Sequence, residues 1–283
     1  MKRMSIKERE LKNQKQRSDL RPLTEEELRK VQRLYLRMAS DVFEMCKHFG
    51  IYITLCGGSV LGAIRHQGFI PWDDDMDLFI PRKDYEQFKL RFDEYFQGRY
   101  QFYAPNYHQS SHYRIGKIEC RDVEIDDLMG YRHGLMIDLF VLENVPDFAL
   151  HRWLRGIRSE LFSYIAACCG LRESRKGFKS RNEDVPLLSL YERIGFIAGN
   201  VFSFRSADQW NNLIDKTNPY PNEQSKYVCS PNGRKHYFGE IYHRKSMMRS
   251  MMVPFEDRVF PIPVGYDEFL GKLYGGMIKR NSR

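Results

Sequence analysis

The sequence predicts an α/β (α+β) fold: a mixed sheet flanked by helices, with a helical extension in the C-terminal half. Three observations carry this expectation. A long amphipathic helix pattern runs straight into an apolar strand-like segment, short β-branched and aromatic runs alternate with helical ones as far as Pro146, and two helical patterns crowd residues 151–204. The chain accordingly divides into a polar, mixed-charge N-terminal arm over residues 1–22, a core over 23–146, and a helical extension with a C-terminal segment packing on the core over 147–283.

The first helix has a marked start. Thr24 followed by Glu27 forms a capping box, Leu23 and Leu28 suit a hydrophobic staple, and Leu28, Val31, Leu34, Met38, Val42, Met45 and Phe49 recur at helical spacing before Gly50. Ile51 to Cys56 reads as a strand, Gly57-Gly58 as a tight turn, and Ser59 onward as a short helix. Lys83 to Phe96 reads as a helix, and Tyr100 to Tyr103, Arg114 to Ile125 and Leu135 to Leu142 read as strands. Beyond Pro146, helices are expected over His151 to Cys169 and Val185 to Phe204, separated by the basic stretch from Arg172 to Arg181. Charged residues interrupt both helices before the roughly 20 apolar residues that a membrane span requires.

Chemistry concentrates after the glycines. Asp73, Asp74, Asp75 and Asp77 crowd four carboxylates into five positions, and such a cluster is costly unless cations or protons neutralise it. On an extended strand Asp73, Asp75 and Asp77 share one face and Asp74 the other. An Asp-x-Asp pair suits a hard cation, Mg2+ first and Mn2+ second. An isolated Asp run is more often an acidic surface turn; here Ile70-Pro71-Trp72 and Leu78-Phe79-Ile80 flank it with strand-like apolar residues. Upstream, glycines followed by a helix start offer close backbone approach and free N–H groups to an anion. Phosphate chemistry on a metal is the expectation.

Gly57-Gly58-Ser59, Leu61-Gly62-Ala63, Arg65-His66, the run Gly68 to Asp75, Asp77 and Asp84-Tyr85 resemble the LicD family, which has the nucleotidyltransferase fold and is related to the fukutin group. Gly134 to Phe140, and Val253 to Glu256 with Tyr266, Leu270 and Tyr274-Gly275, extend the resemblance over roughly residues 25 to 278. The resemblance implies transfer of a phospho-alcohol, typically phosphocholine from CDP-choline with CMP leaving, onto a hydroxyl of a cell-surface glycan or its lipid-linked precursor. By that resemblance Asp75 and Asp77 are metal ligands, and Asp138 either ligates the metal or takes the acceptor proton. Gly57, Gly58 and Ser59 hold the diphosphate. Arg65 and His66 either add charge there or, for Arg65, pair with the Asp run; Lys117 either reaches a phosphate or is a solvated lysine. Asp73 has an orienting role. Two departures, Gly276 after the Tyr-Gly pair and Glu119-Cys120-Arg121 after Lys117, bear on donor or acceptor identity and not on the metal chemistry. If choline is the cargo, Trp72, Tyr103, Tyr131 and Tyr237 are candidates for an aromatic cage; Arg234, Lys235 and His236 lie on a segment, Tyr227 to Gly239, expected to approach substrates as a loop.

Composition bounds the rest. At 283 residues the chain buries a sizeable core, six cysteines include no Cys-x-x-Cys pair, and the N-terminus lacks an apolar run of signal length, so a reduced, cytoplasmic setting is expected. The net charge of +8 attracts polyanions in general, but no recognisable nucleic-acid module accompanies it. Basic residues beside apolar helical faces also suit peripheral contact with the inner membrane surface. Two other classes compete: a template-independent RNA nucleotidyltransferase using similar carboxylates, and a non-catalytic scaffold binding nucleotide or lipid.

Overall fold

A computed structural model describes residues 23–108, 113–126, 132–180 and 190–275. The arm over residues 1–22, Tyr131 and residues 181–189 lie outside the described residues. The elements are α1 (Glu25–Phe49), β1 (Thr54–Leu55), α2 (Gly57–His66), β2 (Asp77–Pro81), α3 (Arg82–Phe96), β3 (Gln101–Tyr103), β4 (Gly116–Asp126) and β5 (Arg132–Val145). There follow α4 (Ala149–Ser180), α5 (Leu190–Val201), α6 (Ala207–Thr217), β6 (Tyr227–Cys229), α7 (His236–Gly239), β7 (Ile241–His243), α8 (Arg244–Met247), β8 (Ser250–Phe255), β9 (Arg258–Pro263) and α9 (Tyr266–Tyr274).

The α1 helix begins and ends as its sequence dictates. Thr24 and Glu27 close the capping box, Gly50 stops the helix at φ 67°, and Tyr35, Met38, Val42 and Met45 line the buried face. The mixed sheet runs β1-β2-β5-β4-β3, with β6 and β7 added at the C-terminal end of β5. β5 is long enough to meet three neighbours: β2 in parallel, β4 antiparallel, and β6 antiparallel from Glu143 onward. Its core residues Leu135, Ile137 and Leu139 are buried, as are Leu78, Phe79 and Ile80 of β2.

Three expectations change. The strand read over Ile51 to Cys56 pairs only through Thr54 and Leu55. The basic stretch after Arg172 does not separate two helices, because α4 continues through it to Ser180. Arg172 donates to Asn200 at 3.0 Å and Glu173 accepts the Ala207 N–H at 3.1 Å, so these polar residues dock the helix instead of ending it. The Tyr227 to Gly239 segment is not a free loop: it enters the sheet as β6 and turns through α7. The α6 helix went unread although its signal is present, a second capping box made by Ser206 and Gln209.

The extension has its own small core of Ile165, Ala166, Cys169, Trp210 and Ile214. Gly199 lets α5 touch α4, since a Cβ there would collide with the Cys168 carbonyl. Returning from the extension, Phe255, Phe260, Ile262, Phe269 and Leu270 join the main core beneath the sheet.

Arg82 fastens these parts together. Its Nε donates to Glu143 of β5 at 3.0 Å, and its Nη2 donates to Asp215 of α6 at 2.8 Å, all three side chains being nearly removed from solvent. Removing one member of a buried ion network strands the others. Arg82→Met is therefore expected to cost about 3–5 kcal/mol in denaturant unfolding, and Arg82→Met with Glu143→Leu to recover much of it; equal losses in the single and double variants would refute the pairing as the cause.

Candidate active site

The sheet sets three charged side chains side by side. β2 and β5 are parallel with Asp77 opposite Asp138, and β4 places Lys117 opposite Asp138 from the other side. Residues in register on neighbouring strands project to the same face, so the row reads carboxylate, carboxylate, ammonium. Lys117 Nζ donates to Asp138 Oδ1 at 2.5 Å. Asp138 also donates its backbone N–H to the Met76 carbonyl at 3.1 Å, which fixes the chain just ahead of Asp77.

The helix start lies against this row. Cys56 donates its N–H to the Asp77 carbonyl at 2.9 Å, and Asp77 donates its own to Ser59 Oγ at 3.1 Å. The expected turn at Gly57-Gly58 is in fact the first turn of α2, with Cys56 as its N-cap and no side-chain cap. Both glycines are needed for proximity. Gly57 has φ +52° and a Cβ there would collide with the Asp77 carboxylate; a Cβ at Gly58 would come within 2.9 Å of Asp73 Oδ2. Ser59 is buried and engaged in joining α2 to β2.

The Asp run does not occupy one strand face. β2 begins only at Asp77, and residues 73–76 precede it as irregular chain after a turn at Pro71-Trp72. Asp73 donates its N–H to the Ile70 carbonyl at 2.9 Å, while Gln32 of α1 donates to the Asp73 carbonyl at 2.9 Å, curling the loop back. Loop curvature, not strand alternation, brings Asp73, Asp75 and Asp77 onto one cleft of about 490 Å3. Asp74 is exposed and lies outside that lining. Asp73 thus stands in the cleft wall itself.

Across the cleft are Gly233, Arg234, Glu240 and Tyr274, with Phe79 and Phe140 on its floor. The Arg234 guanidinium lies 5.8 Å over the Tyr274 ring. Glu240 was not singled out from the sequence; it is buried and accepts the Lys235 N–H at 2.8 Å and the Tyr242 hydroxyl at 3.2 Å. Only its place between a short helix and an edge strand brings it to the cleft, and no local spacing announces that. Lys235 turns its ammonium to the Lys272 carbonyl, and neither it nor His236 lines the cleft.

Other expected residues stand elsewhere. Arg65 and His66 close α2 about 12 Å along the axis from Gly57, outside the lining, and Arg65 Nε is buried with no hydrogen-bond partner among the described residues. Of the cage candidates, Trp72 is 77% exposed, Tyr103 donates to Glu119 at 2.9 Å, and Tyr237 packs with Val145 and Cys229. The aromatic residues at the cleft are instead the part-exposed Phe140 and Tyr274, with the buried Phe79 beneath them.

Asp73, Asp75 and Asp77 hold protons more tightly than usual. Burial raises the Asp73 pKa to about 6, with Asp75 and Asp74 adding repulsion. Asp75 opens to solvent yet sits low enough among protein atoms that desolvation, then Asp74 and Asp138, raises it. Asp77 is pushed well above the carboxylate range by burial and by Asp75, Asp138 and Asp73, with Lys117 opposing. Burial, followed by Cys56 and Asp77, lifts Tyr274 to about 12, so it faces the cleft as a neutral phenol. Among the described residues no three metal-type side chains already converge as a closed cation cage. The donor set is nonetheless all oxygen, mutually repelling and open to one side, which fits a hard divalent ion held by two carboxylates with substrate oxygens completing its shell.

Gly57→Ala is expected to destabilise the fold by about 1–3 kcal/mol through backbone strain and by more through the Asp77 collision. Gly98→Ala is the control, since Gly98 also has φ +86° but open space around it. Equal denaturation midpoints for the two variants would show that close approach of Asp77 is no constraint.

Residues 50–147 match the model of the LicD/FKTN/FKRP nucleotidyltransferase domain, a span that contains Gly57, the Asp loop, Lys117 and Asp138. The lipopolysaccharide cholinephosphotransferase LicD of Haemophilus influenzae is 27% identical over 267 residues, covering 89% of this chain and 91% of that protein. Uncharacterized proteins of Rickettsia prowazekii and Rickettsia typhi are each 40% identical over 48 residues, 17% of this chain and 18% and 16% of theirs. The carboxylate row thus lies inside a segment similar to the LicD/FKTN/FKRP nucleotidyltransferase domain, and similarity to the Haemophilus protein runs along nearly the whole length.

Proposed function

We propose that the chain is a LicD-type phosphotransferase that moves phosphocholine from CDP-choline to a hydroxyl of a cell-surface glycan or its lipid-linked precursor. The observation that carries the reading is the Asp77–Asp138–Lys117 row, opening beside the start of α2 into a cleft also walled by Asp73 and Asp75. Its support from relatives is the Haemophilus cholinephosphotransferase, similar along 89% of the chain. A cytoplasmic enzyme acting at the inner membrane face fits the nucleotide donor, and no helix among the described residues is long and apolar enough to cross a membrane.

The acceptor oxygen attacks the phosphorus that bears choline, the bond from that phosphorus to the CMP oxygen breaks, and CMP leaves with the electron pair. The acceptor proton passes to Asp138, whose anion the Lys117 ammonium stabilises through their 2.5 Å contact. The N–H groups at the start of α2 face the diphosphate, where a helix N-terminus favours negative charge. Arg234, on the opposite wall, balances charge on the departing CMP. Asp75 and Asp77 would hold Mg2+, or Mn2+, which would neutralise phosphate charge and relieve the repulsion among the carboxylates. Asp73 positions the loop through its closeness to Gly58. The half-buried Phe140 ring offers an aromatic surface to a quaternary ammonium.

Thermal unfolding with and without Mg2+ tests the donor across CDP-choline, CDP-glycerol, CDP-ribitol, UDP-sugars and ATP. A ligand at about one hundred times its dissociation constant adds roughly 2.7 kcal/mol; a Mg2+-dependent rise with CDP-choline alone is expected, and a preference for ATP or no response to any CDP compound would sink the reading.

Asp75→Asn and Asp77→Asn are expected to lower kcat by on the order of 10²–10³-fold without loss of fold, because each removes one charge from a repelling cluster. Asp138→Asn is expected to match them. A loss of only a few-fold there would reduce Asp138 to a supporting residue.

A further inference from the structure

The α4 helix is inverted relative to an ordinary surface helix. Between residues 150 and 167 none of its exposed positions carries a Lys, Arg, Asp or Glu. The charged residues of that stretch face the protein instead. Arg155 donates to the Asn218 and Pro219 carbonyls at 2.8 Å each, Arg152 to the Pro146 carbonyl at 2.9 Å, and Glu160 accepts the Tyr237 N–H at 2.8 Å. What faces outward, with His151 and Ala167, is Leu150, Trp153, Leu154, Ile157, Leu161 and Tyr164, these six each 38–56% exposed and following the i, i+3, i+4 pattern of one helix face. A contiguous stripe of that kind on a water-facing helix marks a docking surface.

The α5 helix packs against the later turns of α4 and, with the turn after it, presents a second exposed apolar set, Ile194, Ile197, Val201 and Phe204. Exposed Arg193 and Arg205 bracket that set, and Arg205 lies 5.3 Å over the Trp210 ring. At the other end, Gly156 of α4 seats the half-exposed Phe238, next to exposed Arg234 and Lys235. The pattern is apolar and aromatic in the middle with cations at the rim, on a chain of net charge +8.

We infer that the outer face of α4 and α5 docks peripherally on an anionic lipid surface. Apolar and indole side chains enter the headgroup region while rim arginines meet lipid phosphates. A second copy of this chain fits less well, because like-charged rims would face each other. Arg234 also lines the cleft, so the segment that borders the stripe also borders the site. What docking accomplishes rests on the transfer reading: it sets the cleft beside a membrane that carries a lipid-linked acceptor.

The test is co-sedimentation of the full chain with phosphatidylglycerol-rich vesicles and with neutral phosphatidylcholine vesicles. Binding to the anionic vesicles is expected, with a blue-shifted emission that Trp153→Phe removes. Leu154→Glu with Ile157→Glu is expected to weaken partitioning at least about tenfold, leaving the thermal midpoint and any CDP-compound response unchanged, since both residues are surface-exposed. No vesicle binding, equal binding to neutral vesicles, equal binding by the double variant, or a dimer that the double variant converts to monomer would each overturn the inference. Failure of the transfer reading is distinguishable, because vesicle binding needs neither donor nor turnover.

Discussion

Everything at the site depends on the parallel pairing of β2 with β5 at the level of Asp77 and Asp138. A parallel ladder holds both side chains on one face at one height, and it does so against their mutual repulsion. The repulsion is balanced by Lys117, delivered by the antiparallel strand on the far side of β5, and by the unsatisfied end of α2 lying over Asp77. The apolar residues that follow, Leu78, Phe79 and Ile80 against Leu139, Phe140 and Val141, supply the burial that keeps the pair in register.

Much of this was legible before any coordinates. The α1 helix is written in its capping box and its periodic apolar face, and the strands of the core are written in short β-branched and aromatic runs. The concentration of carboxylates near the glycines was also plain. How those carboxylates converge was not, because side-chain alternation assumes an extended strand and Pro71-Trp72 makes a turn instead. The glycines were read as a phosphate cradle, while their nearest neighbours are the aspartates themselves. Asp138 stood alone in its segment, and only the resemblance joined it to Asp77 across sixty residues of sequence.

The opposite cleft wall is only partly legible: Arg234 stands among the sequence candidates and Tyr274 within the resemblance, while nothing local marks Glu240. Arg234 and Glu240 lie in the turns on either side of the four-residue α7, and Tyr274 ends the nine-residue α9, segments too short for periodicity to identify. Arg65 and His66 show the reverse error. They sit near the glycines in sequence, but the helix carries them away from the cleft, so nearness along the chain misled where the helix rise separates.

The turn between β8 and β9 reaches back across the chain. Glu256 accepts the Phe69 N–H at 3.1 Å, a contact 187 residues apart in sequence, and the Glu256 N–H is in turn donated to Gln67 at 2.6 Å. Gly68 permits the approach, since a Cβ there would run into the glutamate. During synthesis the loop leading to the aspartates therefore waits, without its clamp, until Glu256 has been made and has emerged. A nascent chain arrested before residue 256 would thus carry Asp73, Asp75, Asp77 and Asp138 with one tether of their loop still missing.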